Sequence, residues 1–217
     1  MNQLCPLCHT AIEDIFHADA RRTYCRCPQC MLVFVPPDQY PSTEAERAEY
    51  DLHRNSPDDE GYRRFLGRLF DPLQARLAPG SSGLDFGSGP GPTLSVMLTE
   101  AGHSMRIYDK FYAPDTSVFD RQYDFITATE VVEHLHQPDF ELARIWNCLK
   151  PGGLLGIMTK LVIDRNAFAD WHYKNDPTHV LFFCRETFVR IADRRQAVVE
   201  FRAPDVIILQ KPFLFPE

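Results

Sequence analysis

The sequence predicts an α/β chain: a mainly parallel sheet wrapped by helices, with a small cysteine-bound module at its N-terminus. Three observations predict it. From about residue 80, short apolar runs alternate with helix-like segments, as in a parallel sheet. One run ends in the turn Leu84-Asp85-Phe86-Gly87-Ser88-Gly89-Pro90-Gly91, where glycine lets the chain leave a strand sharply and lets backbone approach a ligand. Near the N-terminus, Cys5-Pro6-Leu7-Cys8 is matched by Cys27-Pro28-Gln29-Cys30.

A chain of 217 residues suits one α/β domain with an appendage, and 44% apolar residues suffice for its core. No apolar run reaches the roughly 18–20 residues of a membrane span. The chain also opens without the basic-then-apolar pattern of a signal peptide, so a cytoplasmic protein with no membrane partner is expected. A net charge of −7 argues against wrapping a long nucleic acid, which asks for a basic surface.

Residues 1–36 read as a zinc ribbon. The two C-x-x-C knuckles are 18 residues apart, within the spacing of a four-cysteine site, and each supplies two thiolates to one edge of a tetrahedron. Cys5, Cys8, Cys27 and Cys30 are therefore the expected ligands of a structural Zn2+, with no open position for water. Ile12, Ile15, Phe16 and Tyr24 supply apolar contacts to a module too small to fold without such a staple. Cys25 and His9 are spare donors, and a set of redox or incidental thiols is the competing reading.

Residues 37–59 read as a linker with some helical character, from Pro36-Pro37, Pro41-Ser42 and the polar run up to Asp59. Beyond it Tyr62, Phe65, Leu66, Leu69, Phe70, Leu73 and Leu77 fall on one helical face, with Pro72 placed to start a new segment after Asp71. The simplest role for this face is packing on the sheet. Tyr50, Tyr62 and Arg63 are alternatively placed to lid a site.

After Gly91 comes a short apolar helix that Gly102 can end, then a strand Met105–Asp109. Asp109 lies about 20 residues past the glycine turn, where nucleotide folds place a carboxylate to bind ribose hydroxyls. A strand over 123–128 follows, then a turn or helix at Val131–Leu135 and a helix over 140–149. Leu149-Lys150-Pro151-Gly152-Gly153 punctuates before a strand over 154–159.

The glycine turn, Asp109, Tyr123-Asp124 leading to Glu130-Val131-Val132-Glu133-His134-Leu135, and Leu149-Lys150-Pro151-Gly152-Gly153-Leu154 occur in an ordered set. Over about residues 60–210 the chain resembles the class I S-adenosylmethionine-dependent methyltransferases, most closely the small-molecule branch near the ubiquinone-biosynthesis enzymes. The resemblance implies a Rossmann-like, seven-stranded-type sheet in residues 60–217 and an enzyme that methylates a small molecule. It implies that Gly87, Gly89 and Gly91 pass close to the methionine part and ribose of S-adenosylmethionine, and that Asp85 orients that loop or meets the cofactor's amino group. Asp109 would bind the ribose diol, and Glu130 would face the methionine end or the substrate. A capping acid is the plain alternative for Asp85 and Glu130. One departure stands out: between Asp109 and Tyr123 there is no room for the family's third strand and its helix, so Phe119 or Asp120 would have to substitute in adenine binding.

The C-terminal third holds Asp170-Trp171-His172-Tyr173-Lys174-Asn175-Asp176-Pro177-Thr178-His179, a loop rich in polar and aromatic groups where the family builds substrate contacts. His179 could remove a proton from a hydroxyl as the methyl arrives, or could hold the loop by hydrogen bonding. His134 leans to structure, Cys184 reads as a buried filler, and residues 197–209 read as a closing hairpin. The acceptor is expected at a hydroxyl or an activated carbon. RNA methylation with the ribbon as RNA-binding module, and a non-catalytic cofactor-binding adaptor, are the alternatives.

Overall fold

The computed structural model describes residues 3–52 and 55–213. In chain order, the N-terminal module contributes β1 (Gln3–Leu4), β2 (Ala11–Ile12), β3 (Ile15–Ala18), β4 (Thr23–Arg26) and β5 (Val33–Phe34). Helices α1 (Thr43–Tyr50) and α2 (Glu60–Gln74) follow. The alternating region gives β6 (Ser82–Phe86), α3 (Thr93–Glu100), β7 (Ser104–Tyr108), β8 (Tyr123–Thr129), α4 (Pro138–Asn147) and β9 (Leu149–Met158). The last third gives α5 (Arg165–Ala169), β10 (Leu181–Phe182), α6 (Arg185–Arg195), β11 (Val198–Ala203) and β12 (Val206–Gln210).

The main sheet has six strands in the order β11-β12-β9-β8-β6-β7, parallel from β9 to β7 and antiparallel at the β11–β12 hairpin. The chain leaves β6 towards β7 on one side and returns as β8 on the other. That reversal opens a crevice at the carboxyl ends of β6 and β8, where open α/β sheets bind ligands. The shortened region after Asp109 forms no strand: its backbone makes one bridge, Asp109 to Ala113, and a 3-10 turn over Thr116–Asp120. The sheet therefore has six strands where the family type has seven, in line with the shortened third-strand region of the sequence, because a segment of this length lies against β7 without extending the sheet.

Two further expectations change. α2 does not restart at Pro72 but runs through it to Gln74; near the C-terminal end the missing N–H removes a single bond. The Pro-Gly-Gly stretch lies within β9 as an irregularity, with Gly152 at φ 76°.

The segment 37–59, read as a linker, holds α1, capped by the Ser42 side chain on the Ala45 N–H. The ribbon's four-stranded sheet, β10-β5-β4-β3, borrows its edge strand from the C-terminal third. Leu32, Val33 and Phe34 share one buried cluster with Phe168, Val180, Phe182 and Phe188. Phe168 packs its ring 5.0–5.4 Å from Tyr24, Phe182 and Phe16. The core of the cysteine module therefore continues into the sheet domain.

Candidate active site and metal centre

A cavity of ≈ 660 Å³ opens at the crevice beside β6 and β8. Its floor is the loop after β6 and the loop after β8; its roof comes from Glu46 and Tyr50 of α1 and Tyr62 and Phe65 of α2. Tyr50 and Tyr62 thus lie where a lid was expected. Arg63 does not: its guanidinium reaches Glu100 and the Pro57 carbonyl instead.

The glycine loop is shaped by its own amides. Gly87 and Ser88 donate N–H bonds to the Tyr108 carbonyl at 2.7 and 3.1 Å, tying the loop to the end of β7. Gly87 sits at φ 75°, and a Cβ there would lie 2.4 Å from Val131, so only glycine fits both the turn and its neighbour. Gly89 donates its N–H to Asp109 Oδ2 at 3.0 Å, while Asp109 Oδ1 accepts from Phe111 and Tyr112 at 2.8 and 3.1 Å. Three of the carboxylate's roughly four acceptor positions are filled. The glycine turn and Asp109 form one rigid unit lining the cavity.

Asp85 and Gly91 lie outside the cavity lining. Asp85 is buried beneath the loop, not in the cavity lining, with Thr127 Oγ1 donating to its Oδ1 at 2.7 Å. Burial pushes its pKa up to about 6. Gly91 is also outside the lining; a Cβ there would strike the Asn55 carbonyl, so the close approach is to the chain's own backbone. Phe119 and Asp120 are likewise absent from the lining. Phe119 instead packs on Tyr108 and Phe86 under the Arg144 guanidinium. Lys110, Tyr112 and Phe140 stand in the wall beyond Asp109.

Glu130, at the end of β8, is in the wall and adopts φ 51°, a left-handed conformation rare for such a side chain. Its Oε1 is buried without a partner, and its Oε2 lies 3.4 Å from the Tyr173 hydroxyl. That hydroxyl also bonds Glu133 Oε1. Desolvation raises the Glu130 pKa to about 7.

His179 is buried against the same corner, 4.1 Å from the Tyr173 ring and 4.6 Å from that of His134. Its Nδ1 is 2.7 Å from the Tyr173 carbonyl, which only accepts, so Nδ1 carries the proton and Nε2 the lone pair. Burial lowers its pKa, keeping the ring neutral near pH 7. Asp176 Oδ2 lies 3.7 Å from Nε2.

The loop carrying His179 is held by the ribbon. The Arg22 guanidinium donates to four backbone carbonyls of the loop: Asp176 and His179 at 2.9 Å, Pro177 at 3.0 Å, and Lys174. Buried Lys174 returns an ion pair to Asp19 at 2.7 Å, holding the Asp19 carboxyl well below the usual range despite burial. Val35 then donates its N–H to the Val180 carbonyl, and Val180 donates to Glu133 O, so the ribbon, the loop and the turn after β8 are joined by backbone.

The cysteines fit a metal. Their four Sγ atoms lie within 4.8 Å of one another, with Cys5–Cys30 at 3.5 Å and Cys8–Cys27 at 3.3 Å. Sulfurs about 2.3 Å from one zinc sit roughly 3.8 Å apart, so small shifts suffice. The knuckles are built alike. Cys5 N–H donates to Thr10 O and His9 N–H to Cys5 O; Cys27 N–H donates to Leu32 O and Met31 N–H to Cys27 O. His9 and Met31, each following a knuckle's second cysteine, both take positive φ. His9 itself points to Asp139 and Cys25 lies outside the cluster, so neither spare donor is used.

Glu46, Lys110, His136 and Arg22 were not singled out by sequence reasoning, while Glu133 and Tyr173 stood there only as members of longer stretches, the run Glu130–Leu135 and the 170–179 loop. Glu46 is a buried carboxylate bonded by Lys110 Nζ at 2.6 Å and the Tyr50 hydroxyl at 2.8 Å.

Residues 58–200 match the family model described as a methyltransferase domain. No curated protein matches the chain. Among solved structures, the chain is similar to the 1,6-didemethyltoxoflavin-N1-methyltransferase of Burkholderia thailandensis, determined with 1,6-didemethyltoxoflavin and S-adenosylhomocysteine. That likeness covers 92% of this chain and 100% of that one, at 15% identity and a TM-score of 0.52. An O-methyltransferase family protein of Burkholderia thailandensis aligns over 79% of this chain and 60% of its own, at 13% identity and a TM-score of 0.53. The [4+2]-cyclase SpnF aligns over 80% and 97%, at 14% and 0.50. At these identities the likeness speaks for the fold, and the presence of a cyclase is a reminder that the fold alone does not fix the reaction.

Proposed function

The chain belongs to the methyltransferase-domain family, and on that premise we propose that it moves a methyl group from S-adenosylmethionine to a hydroxyl or activated carbon of a small molecule. The observation that carries the choice of acceptor class is the cavity wall. Among the described residues, Glu46, Asp109, Glu130, Glu141 and Asp176 line it against one lysine, Lys110, beneath a roof of α1 and α2. A polyanion such as RNA would be repelled from it, whereas a small neutral or cationic molecule can be enclosed. The ordered glycine turn and Asp109 favour an enzyme over an adaptor.

Gly87, Ser88 and Gly89 fit the backbone side of the cofactor, and the remaining acceptor capacity of Asp109 fits a ribose hydroxyl. Glu130 faces the sulfonium end. Bound there, the cofactor supplies a methyl group on a sulfonium, whose transfer asks chiefly for in-line positioning. Neutral His179, with its Nε2 lone pair on the cleft side and Asp176 beside it to stabilise positive charge, can take the acceptor's proton. The four cysteines would hold one structural zinc.

Titration calorimetry tests this reading. S-adenosylmethionine should bind the wild type, and Asp109→Ala should weaken it at least about tenfold. His179→Ala should cut turnover by about a hundredfold with cofactor affinity nearly unchanged. A well-folded wild type that gives no heat would refute the enzyme.

A further inference from the structure

With the ribose on Asp109 and the methionine end along the glycine turn, the base of the cofactor belongs on the far side of Asp109. The segment standing where the family has its third strand does not serve that end, since Phe119 and Asp120 are outside the cavity lining. The lining there comes from Lys110 and Tyr112 after Asp109, from His136 and Phe140 around the start of α4, and from Glu46 of the roof.

Within α1 only Glu46 is buried, at 1% exposure. A buried carboxylate is costly unless its charge and its lone pairs are both met. Oε1 is met: it accepts from Lys110 Nζ at 2.6 Å and from the Tyr50 hydroxyl at 2.8 Å. Oε2 has no hydrogen bond among the described residues, and His136 Nε2, at 3.9 Å, is beyond hydrogen-bonding range. That nitrogen is itself buried without a partner. Burial holds the His136 pKa below its ordinary value, so the ring is neutral at pH 7. The Glu46 charge beside it favours the tautomer with its proton on Nε2. An acceptor and a donor thus stand side by side in the cavity wall, each lacking a partner.

That pair is the complement of the Watson–Crick edge of adenine, where the 6-amino group donates and N1 accepts. A base also asks for ring faces to stack on, and Phe140, 56% exposed, and Tyr112 offer them in the same wall. We propose that Glu46 Oε2 reads the adenine amino group of the cofactor, with His136 beside it on N1, so that the roof helix sets the base specificity of this site in place of the sheet. The inference rests on the methyltransferase reading and supplies the base contact that the missing strand removes.

The bonds around Asp109 fix Glu46 in this place. The Tyr112 hydroxyl donates to Asp51 Oδ1 at 2.7 Å, at the end of α1, while the Tyr112 N–H donates to Asp109 Oδ1. Lys110 and Tyr112 therefore tie α1 at two points to the short loop that carries the ribose acid. Glu141, the other acid at this end, is committed to Arg144. Glu46 is a specificity-determining residue in this role, and Lys110 is the positioning residue that holds it.

Calorimetry on the full chain with zinc in its ribbon tests the assignment, using S-adenosylhomocysteine and S-inosylhomocysteine as probes. The second carries a carbonyl in place of the 6-amino group and a proton on N1. The wild type should bind the adenosyl probe at least about tenfold tighter, because the carbonyl would set two acceptors against each other at Glu46. Glu46→Gln, whose amide can turn its N–H to that carbonyl, should cut the preference at least about tenfold. His136→Ala leaves the carboxylate and its lysine in place and should lower the preference about threefold. Asp109→Ala should weaken both probes alike, as would any variant that merely loosened the cleft. Equal wild-type affinity for the two probes, or a preference unchanged in the folded variants of Glu46 and His136, overturns the role of Glu46 and leaves the methyltransferase standing. Binding of neither probe by folded wild type overturns both.

Discussion

Asp85 is a buried carboxyl that accepts a hydrogen bond from the Thr127 side chain. Its pKa is raised from 3.8 to about 6, first by burial and then by the nearby Asp109 charge. The folded state therefore holds a proton that the unfolded chain releases at lower pH. The stability this gives is full below about pH 3.8 and is lost as pH rises through about 6. Asp85→Asn keeps the Thr127 bond without the charge. It should raise stability at pH 8 by on the order of 1–3 kcal/mol and change it little at pH 4, measured by urea unfolding at both. A gain equal at both pH values would show that ionisation is not the cause. The sequence shows an acid at the end of a strand but not whether it faces ligand or core; Asp85 and Asp109 look equivalent there, and only packing separates them. The position of Glu130 at the crevice was legible from its place after β8, whereas its strained backbone and its orphaned oxygen were not.

At the scale of elements, the ribbon acts as a brace for the 170–179 loop. Arg22 alone satisfies four loop carbonyls, and bonds to a charged donor are worth about 1.5–3 kcal/mol each before losses are shared. Arg22→Ala should lower stability by about 2–4 kcal/mol and reduce turnover more than about tenfold, because displacing His179 by an ångström spoils its alignment. Cofactor affinity should stay within about threefold, since the glycine turn and Asp109 are tied to β7 and not to the ribbon. Equal losses in both would mean that the ribbon supports the whole cleft. The two C-x-x-C knuckles were legible because their spacing reports metal geometry directly. What the ribbon touches was not, because Arg22 and Asp176 are far apart in the chain and no local pattern links them. The same reason hid α1: its polar surface resembles a linker, and only its position over the cleft makes Glu46 and Tyr50 part of a roof.

At the scale of the whole molecule, one buried apolar cluster runs from the cysteine knuckles to the α/β sheet, and a second joins α2 and α3 to that sheet. The alternation of strands and helices, the ordered motifs and the closing hairpin were readable because each is a local pattern repeated in sequence. The loss of the seventh strand was readable as missing length, though not as a 3-10 turn lying against β7. The charge balance of the cleft follows from folding, which gathers acids from α1, β7, β8, α4 and the 170–179 loop. No described helix is long and apolar enough to cross a membrane. The central claim is that the turn after β6 and Asp109 seat the methyl donor with its sulfonium towards Glu130 and His179. A crystal structure of the full chain with S-adenosylhomocysteine tests it most directly. The account predicts ribose hydroxyls on Asp109, the amino-acid end along Gly87–Gly89, and the sulfur facing the Glu130 side of the cavity. Ligand density away from the glycine turn, or a ribose without contact to Asp109, would contradict it.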